Sequence, residues 1–440
     1  VYGTGREPTN GAGRNAYGGG IVGRAQKGST YFECHNAGNI ISYGRYTGGI
    51  AGYALSDKKN PVTFTKCTNE GLVTGRYYYA GGIAACVGDY VTVESCHNSG
   101  KIDQNSEASV PIDSSEGFRF YYVGGILGYT GRSATFTGCS NEGEIANAGY
   151  FGGVVGYLGA ESEVEDCNNT GIGILNSHNG GGVLGKVGED SKVTNCHNVA
   201  PIRGSDIGGV AHSIGSGVVL TNCYNKGNIT GKDVGGVVEI TGDKTELLNC
   251  RNEGAIIATG GYIGGVVGEA GNGLKLHHDS DSAYEYNKGS IIGENVFYTG
   301  GIVGKLGLDA EIKEGYNSGA ISVTGESTYL GGLFGDVEGI DAEELKCYNI
   351  GDITSTAKFT GGIAGKLSGK VTHAYNRGVI KASGEGVTIG GIAGNLSGQL
   401  DYCYNLGDIT ADGAVLVVGG IVGENSDGTT TSKGVVKGCY

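Results

Sequence analysis

The chain has 440 residues, 90 of them glycine and only 4 proline, with no Met and no Trp. That much glycine without a strict Gly-X-Y period excludes collagen, and 38% hydrophobic residues, rich in Ile and Val, exclude a disordered chain. A formal net charge of −14 argues against nucleic acid as a partner, and no apolar run reaches the ~20 residues of a membrane helix, so no membrane insertion is expected in this segment.

The chain opens on Val1-Tyr2-Gly3-Thr4, without a signal-peptide pattern or an initiating Met, which implies a processed or partial chain. Residues 1–16 read as an N-terminal edge or the remnant of a preceding coil, with Thr9-Asn10 as the trace of a corner. From Tyr17 a repeat takes over. Gly-Gly followed by Ile, Val or Leu begins at Gly19, Gly48, Gly81, Gly124, Gly152, Gly181, Gly208, Gly235, Gly264, Gly300, Gly331, Gly361, Gly390 and Gly419. A glycine closes most of these motifs at the fifth position; Ala85, His212 and Glu239 are the exceptions.

A second signature, Cys-x-Asn-x-Gly-x-Ile in its fullest form, follows each of the first thirteen. Its Asn is never lost: Asn36, Asn69, Asn98, Asn141, Asn169, Asn198, Asn225, Asn252, Asn287, Asn317, Asn349, Asn376 and Asn405. These span 369 residues in twelve steps, a mean period near 31. Each unit reads as three short extended pieces: the GGIVG run, a piece ending at the Cys, and a piece starting after the Asn-x-Gly corner. No amphipathic helix of three turns is found.

Three strands per unit make one coil of a parallel β-solenoid, an all-β fold in which stacked coils bury a thin continuous core. About fourteen coils at ~4.8 Å each would form a rod about 65 Å long over 17–440, a single solenoid. The Asn is expected to ladder at one corner, tolerating left-handed backbone and pairing its amide with the coils above and below. The Gly two residues later is expected to supply a special backbone angle or a close approach; Ala200-Pro201 replaces it once. Longer steps place insertions near Leu55–Pro61, Asp103–Phe120 and Asn272–Ser282.

The GGIVG run followed by Tyr-Asn-x-Gly-x-Ile resembles the GLUG repeat of large secreted or wall-anchored bacterial proteins. Cys223-Tyr224-Asn225-Lys226-Gly227-Asn228-Ile229 and Gly419–Gly423 carry the pattern most closely, and the resemblance covers about Tyr17 to Tyr440. Similar repeats occur in adhesin-like proteins and in the non-catalytic region of immunoglobulin A1 metalloproteases. The resemblance implies a solenoid at the cell surface or outside the cell and no catalytic activity. The zinc-protease motif His-Glu-x-x-His and a wall-sorting signal are both absent from the sequence.

Eleven of the twelve cysteines fall in one column: Cys34, Cys67, Cys96, Cys139, Cys167, Cys196, Cys223, Cys250, Cys347, Cys403 and Cys439, with Cys86 apart. Equivalent residues on adjacent coils sit ~4.8 Å apart with parallel Cβ vectors, wider than the ~3.8 Å of a disulfide, so a ladder of buried thiols is expected. Glu285, Gly315 and Ala374 take the column in three coils, which isolates Cys347. Tyrosines form a second column before the Gly-Gly pair, at Tyr17, Tyr46, Tyr79, Tyr122, Tyr150, Tyr262, Tyr298 and Tyr329, with Phe359 in line. Others precede the Asn, at Tyr224, Tyr286, Tyr316, Tyr348, Tyr375 and Tyr404. These columns read either as stabilising stacks or as an exposed face for a host or bacterial glycan or protein.

The densest metal-ligand cluster is His277, His278, Asp279 and Asp281, read first as a solvated loop and only second as a metal site. No cofactor is expected. An enzyme on this fold would need clustered carboxylates and bases on one face, whereas the repeat columns hold Gly, Ala, Val, Thr and Asn; His212 and Ser213, neighbours in a strand, face opposite sides. Asn168-Asn169-Thr170, Asn228-Ile229-Thr230 and Asn395-Leu396-Ser397 match glycosylation sequons. The chain stops at Cys439-Tyr440, mid-repeat. The reading is a non-catalytic extracellular scaffold or adhesin, a segment of a longer chain or a subunit that stacks end to end into a filament. The alternatives are a Tyr-faced binding module and a polysaccharide-active enzyme.

Overall fold

The computed structural model describes residues 2–3, 16–42, 44–75, 78–104, 122–279, 283–339, 346–413, 417–425 and 434–440. These residues form strands, turns and no helix. The chain is a parallel β-solenoid of about 13 turns with a period near 29 residues. It divides into two compact units, Val1–Ser205 with Val210–Ile214, and Asp206–Gly209 with Gly215–Tyr440.

In the first unit one coil runs through Tyr46–Gly48, Ala51–Ala54, Thr63–Thr65, Thr68–Asn69 and Val73–Gly75. The three extended pieces of the repeat are thus divided further into five strands. The Gly-Gly pair turns the GGIVG run through a corner. A Cβ on Gly48 would lie 2.0 Å from the Ala51 carbonyl oxygen, and one on Gly49 2.0 Å from that of Gly82 and 2.5 Å from Asn69 Oδ1. Both positions are therefore glycine for lack of room.

Each strand pairs in parallel with its counterpart one coil away. Asn69 lies between Asn36 and Asn98, Val73 between Ile40 and Ile102, and Gly81 between Gly48 and Gly124. The second unit repeats the scheme, as in Asn376 between Asn349 and Asn405 and Ile353 between Ile321 and Ile380. The core of each unit is built from columns: Ile40, Val73, Ile102 and Ile145 with Phe64, Val93 and Phe136 in the first, Ile291, Ile321, Ile353 and Ile380 in the second, all essentially inaccessible. Each such side chain contributes roughly 1.5–3 kcal/mol by leaving water.

Two expectations need correction, and of the two roles open to the Gly after the Asn one is observed. None of the thirteen Asn is left-handed; that conformation belongs to the residue before the Cys column, as at Glu33, Lys66, Ser95, Asp166 and Asn249 (φ 51°, 52°, 50°, 53° and 54°). The Gly after the Asn is required by close approach, since a Cβ on Gly71 would lie 2.1 Å from the Gly38 oxygen. Glu285 does not occupy the Cys column. The register slips between Glu285 and Asn287, Tyr284 pairs with Gly315, and Tyr286 turns inward and is fully buried. Gly315 makes the space, for a Cβ there would stand 1.8 Å from Tyr286 Cε2, and the Tyr286 hydroxyl donates to the Lys313 carbonyl at 2.9 Å.

The insertion near Leu55–Pro61 is a tight turn: Asp57 Oδ1 accepts from the N–H groups of Lys59 (3.0 Å) and Asn60 (2.9 Å). Most of the expected Asp103–Phe120 loop, and Thr9-Asn10, lie outside the described residues.

Candidate functional site

The corner column of asparagines is a hydrogen-bonded chain. In the first unit Nδ2 of Asn36, Asn69, Asn98, Asn141 and Asn169 each donates to Oδ1 of the next Asn at 2.7–2.9 Å. In the second, Asn225, Asn252, Asn287, Asn317, Asn349 and Asn376 do the same over the same range. The other Nδ2 proton goes to the carbonyl two residues on, as from Asn98 to Gly100 (2.8 Å) and from Asn317 to Gly319 (2.9 Å). All amides point the same way along the stack, so each bond polarises the next.

The cysteines form no disulfide, and ten of the twelve are buried. The column has a polar task as well as a packing one. Cys96 Sγ approaches the Phe64 and Glu94 carbonyls at 3.5 Å, and Cys139 Sγ those of Val93 and Thr137 at 3.6 Å. In the second unit Cys250 does so with Leu220 and Leu248. The left-handed residue before each Cys turns these carbonyls toward the sulfur. Burial pushes the thiols of Cys86, Cys347 and Cys403 up to about 12, so they stay protonated.

The tyrosine column before the Gly-Gly corner lies on the outer side of its strand: Tyr46 and Tyr79 are half-buried while the next residues, Thr47 and Ala80, are fully buried. In the first unit successive rings of Tyr17, Tyr46, Tyr79, Tyr122 and Tyr150 lie 5.2–6.2 Å apart. Tyr53, Tyr129 and Tyr157 of the next strand lean into them at 50–57°, as in Tyr46–Tyr53, Tyr79–Tyr129 and Tyr122–Tyr157. Cys86 sits in that second column between Tyr53 and Tyr129. Burial and then the neighbouring Cys86 hold the Tyr46 hydroxyl up at about 12.

In the second unit Tyr262, Tyr298, Tyr329 and Phe359 stack at 5.2–5.5 Å and 4–13°. The adjacent column there is charged. Lys305 lies 3.7 Å from Glu269 and 3.4 Å from Glu338, and Lys366 3.3 Å from Asp336. A sugar stacks on an open ring face, and here each ring face is covered by the next ring.

Two members of the fifth-position column replace glycine with a titratable side chain, a break visible in the repeat as an exception and nothing more. His212, in the first unit, is 7% exposed and packs edge-on to Tyr150 at 6.1 Å. Burial, and then the charge of Lys186, push it down to about 4. Glu239, in the second unit, is 2% exposed. Burial and then Asp206, Asp233 and Glu269 push its carboxyl up to about 9, so it is neutral at pH 7. The signal that could have marked them is the simultaneous loss of tyrosine from the neighbouring column, at Asn179, Asp206 and Asp233.

The structure does not bring His277, His278 and Asp279 to one point. His277 Nε2 meets Glu246 Oε1 at 2.9 Å, His278 Nε2 the Glu314 carbonyl at 2.7 Å, and Asp279 Oδ2 accepts from Asn249 Nδ2 at 3.2 Å. Asp281 lies outside the described residues. Among the described residues no group of three His, Cys, Asp or Glu side chains is placed to hold a metal ion. No helix among them is long and apolar enough to cross a membrane. No family model matches the chain, and no curated protein or solved structure matches it either.

Proposed function

We propose that this chain is a non-catalytic scaffold outside the cell or on a bacterial cell surface, an adhesin-like repeat region whose work is reach and display. The observation that carries the reading is the asparagine chain. Buried amides link coil to coil through each unit, so the polar side chain retained in every repeat is spent on cohesion between coils. Its partners are further repeat-bearing chain and, at the surface, a glycan or protein. The test has two arms: antibody labelling of intact producing cells, and single-molecule pulling of the chain. Labelling without permeabilisation, with coils resisting force cooperatively, is expected. Labelling confined to permeabilised cells, or turnover on a polysaccharide panel, would overturn it.

A second reading, a glycan- or protein-binding face, is favoured in the first unit alone, where two adjacent tyrosine columns, Tyr46, Tyr79 and Tyr122 with Tyr53, Tyr129 and Tyr157, make one broader aromatic face. Loss of retention on a glycan array in Tyr79→Ala, with Tyr298→Ala unaffected, would support it; equal retention in both variants would sink it.

A further inference from the structure

The chain lacks Met and Trp, and ten of its twelve thiols are buried. The thiolate is the reactive form of cysteine, and burial pushes the thiols of Cys86, Cys347 and Cys403 up to about 12. Beside the part-exposed Cys34 and Cys439, the readily oxidised side chains left within reach of solvent are tyrosines, of which there are 27.

One set of them stands apart. In the second unit the residues before the Asn column, Tyr316, Tyr348, Tyr375, Tyr404 and Tyr440, form a continuous stack. Successive ring centroids are 4.9, 4.6, 4.9 and 5.3 Å apart and the planes are within 4–7° of parallel. Tyr316, Tyr348, Tyr375 and Tyr404 are half-buried, on the outer side of strands whose Asn points inward. Rings held so nearly parallel keep each ortho carbon within one rung of its counterpart, a high effective concentration of coupling partners.

We propose that this stack is a site of oxidative tyrosine–tyrosine coupling between neighbouring coils, made by a haem peroxidase with hydrogen peroxide. Each of two adjacent phenols gives up one electron to the peroxidase and one proton to water. The two phenoxyl radicals join through their ortho carbons, and each ring regains aromaticity by moving its ortho hydrogen to its own oxygen. Peroxide accepts the two electrons and two protons and leaves as two waters. One carbon–carbon bond forms, and the protein loses two hydrogens per link. The link joins residues 27–36 apart in sequence and so clips one coil to the next.

The nearest competitor is Tyr129–Tyr157 in the first unit, 4.8 Å and 9° apart. Tyr122 packs tilted against both of its rings, at 48° and 57°, and obstructs the pivot that bond formation needs. Among the described residues no such ring is wedged against the Tyr316–Tyr440 stack.

The experiment treats the folded chain with peroxidase and hydrogen peroxide over a range of protein dilutions and maps the links by mass spectrometry of digests. Expected is a major intramolecular link at Tyr348–Tyr375, the closest pair, with a yield independent of dilution. In Tyr375→Phe, which keeps the ring but cannot form a phenoxyl radical, that link is lost and Tyr316–Tyr348 takes its place. Links that vanish on dilution, links led by Tyr129–Tyr157 or Tyr298–Tyr329, or a pattern unchanged by Tyr375→Phe would each overturn the proposal.

Discussion

The two tyrosine faces start from one column of the repeat and end differently. In the first unit the column's own rings stack at 5–22° from Tyr17 to Tyr122 and open to 45° at Tyr122–Tyr150, and the neighbouring column also carries tyrosines, which wedge against them at 50–57°. In the second that column carries Glu269, Lys305, Asp336 and Lys366, and the rings stack at 4–13°. In a parallel in-register stack every side chain's first neighbour is its own counterpart, so a column tends to order itself. What differs between the two faces is the column beside it. The asparagine chain is the control for this comparison, because it is the same in both units.

Removing one link from that chain should have the largest effect and should not tell the units apart. In Asn317→Ala the Asn287 amide loses its acceptor, Asn349 Oδ1 loses its donor, and the carbonyl and N–H of Gly319 lose theirs. At ~1–3 kcal/mol for each buried group left unpaired, the loss is about 4 kcal/mol or more. Asn98→Ala breaks the same kind of link in the first unit and should cost about as much. Denaturant midpoints measure both. A cost under about 1 kcal/mol in either variant would show that the amides are not what joins the coils.

Much of this was readable in the residues because a solenoid writes the same position many times. The Asn, Ile and Gly columns repeat with their chemistry intact, and the repeat alone led to a parallel stack. The left-handed residue before the Cys column was invisible for the opposite reason: Glu33, Lys66, Ser95 and Asp166 share a backbone angle and no side-chain chemistry. Tyr286 was hidden by counting, since stepping back two from Asn287 lands on Glu285 and a one-residue bulge leaves no mark on spacing. The facing of the tyrosines was undecidable from alternation, because both parities of the GGIVG strand are apolar. Gly-Gly settles it physically, by admitting no side chain at the corner.

The two titratable exceptions in the glycine column, His212 and Glu239, should separate the units by pH. His212 has a folded value near 4 against an ordinary 6.5, so the folded chain takes up that proton later than the unfolded one. Its contribution is complete above about pH 6.5 and is lost as pH falls toward 4, about 3 kcal/mol at most. Glu239 behaves oppositely. Its folded value of about 9 lies above the ordinary 4.5, so stability is fullest below pH 4.5 and declines as pH rises through 9. Glu239→Gln keeps the shape and removes the titration, and should flatten the alkaline decline while leaving the acid side untouched. His212→Asn should do the reverse. Denaturant midpoints across the two windows decide it; an alkaline decline that persists in Glu239→Gln would place its origin elsewhere.

The smallest effect probes the ring geometry itself. Tyr79→Leu in the first unit removes contacts with Tyr46, Tyr78, Tyr122 and Tyr129. Tyr329→Leu in the second removes Tyr298, Phe359 and the Lys366 ammonium 5.9 Å over its ring. Aromatic pairs are worth about 0.5–1.5 kcal/mol beyond area, so Tyr79→Leu should cost about 1 kcal/mol more than Tyr329→Leu. Salt then sharpens the difference. The second-unit rings lie beside the part-exposed ion pairs of Lys305 and under the part-exposed Lys366 ammonium, whose interactions screening weakens, whereas the first-unit rings meet mainly other rings. The cost of Tyr329→Leu should therefore fall as ionic strength rises, while that of Tyr79→Leu stays level. If both costs move together, the neighbouring column does not govern how the rings pack, and the contrast between the two faces has lost its cause.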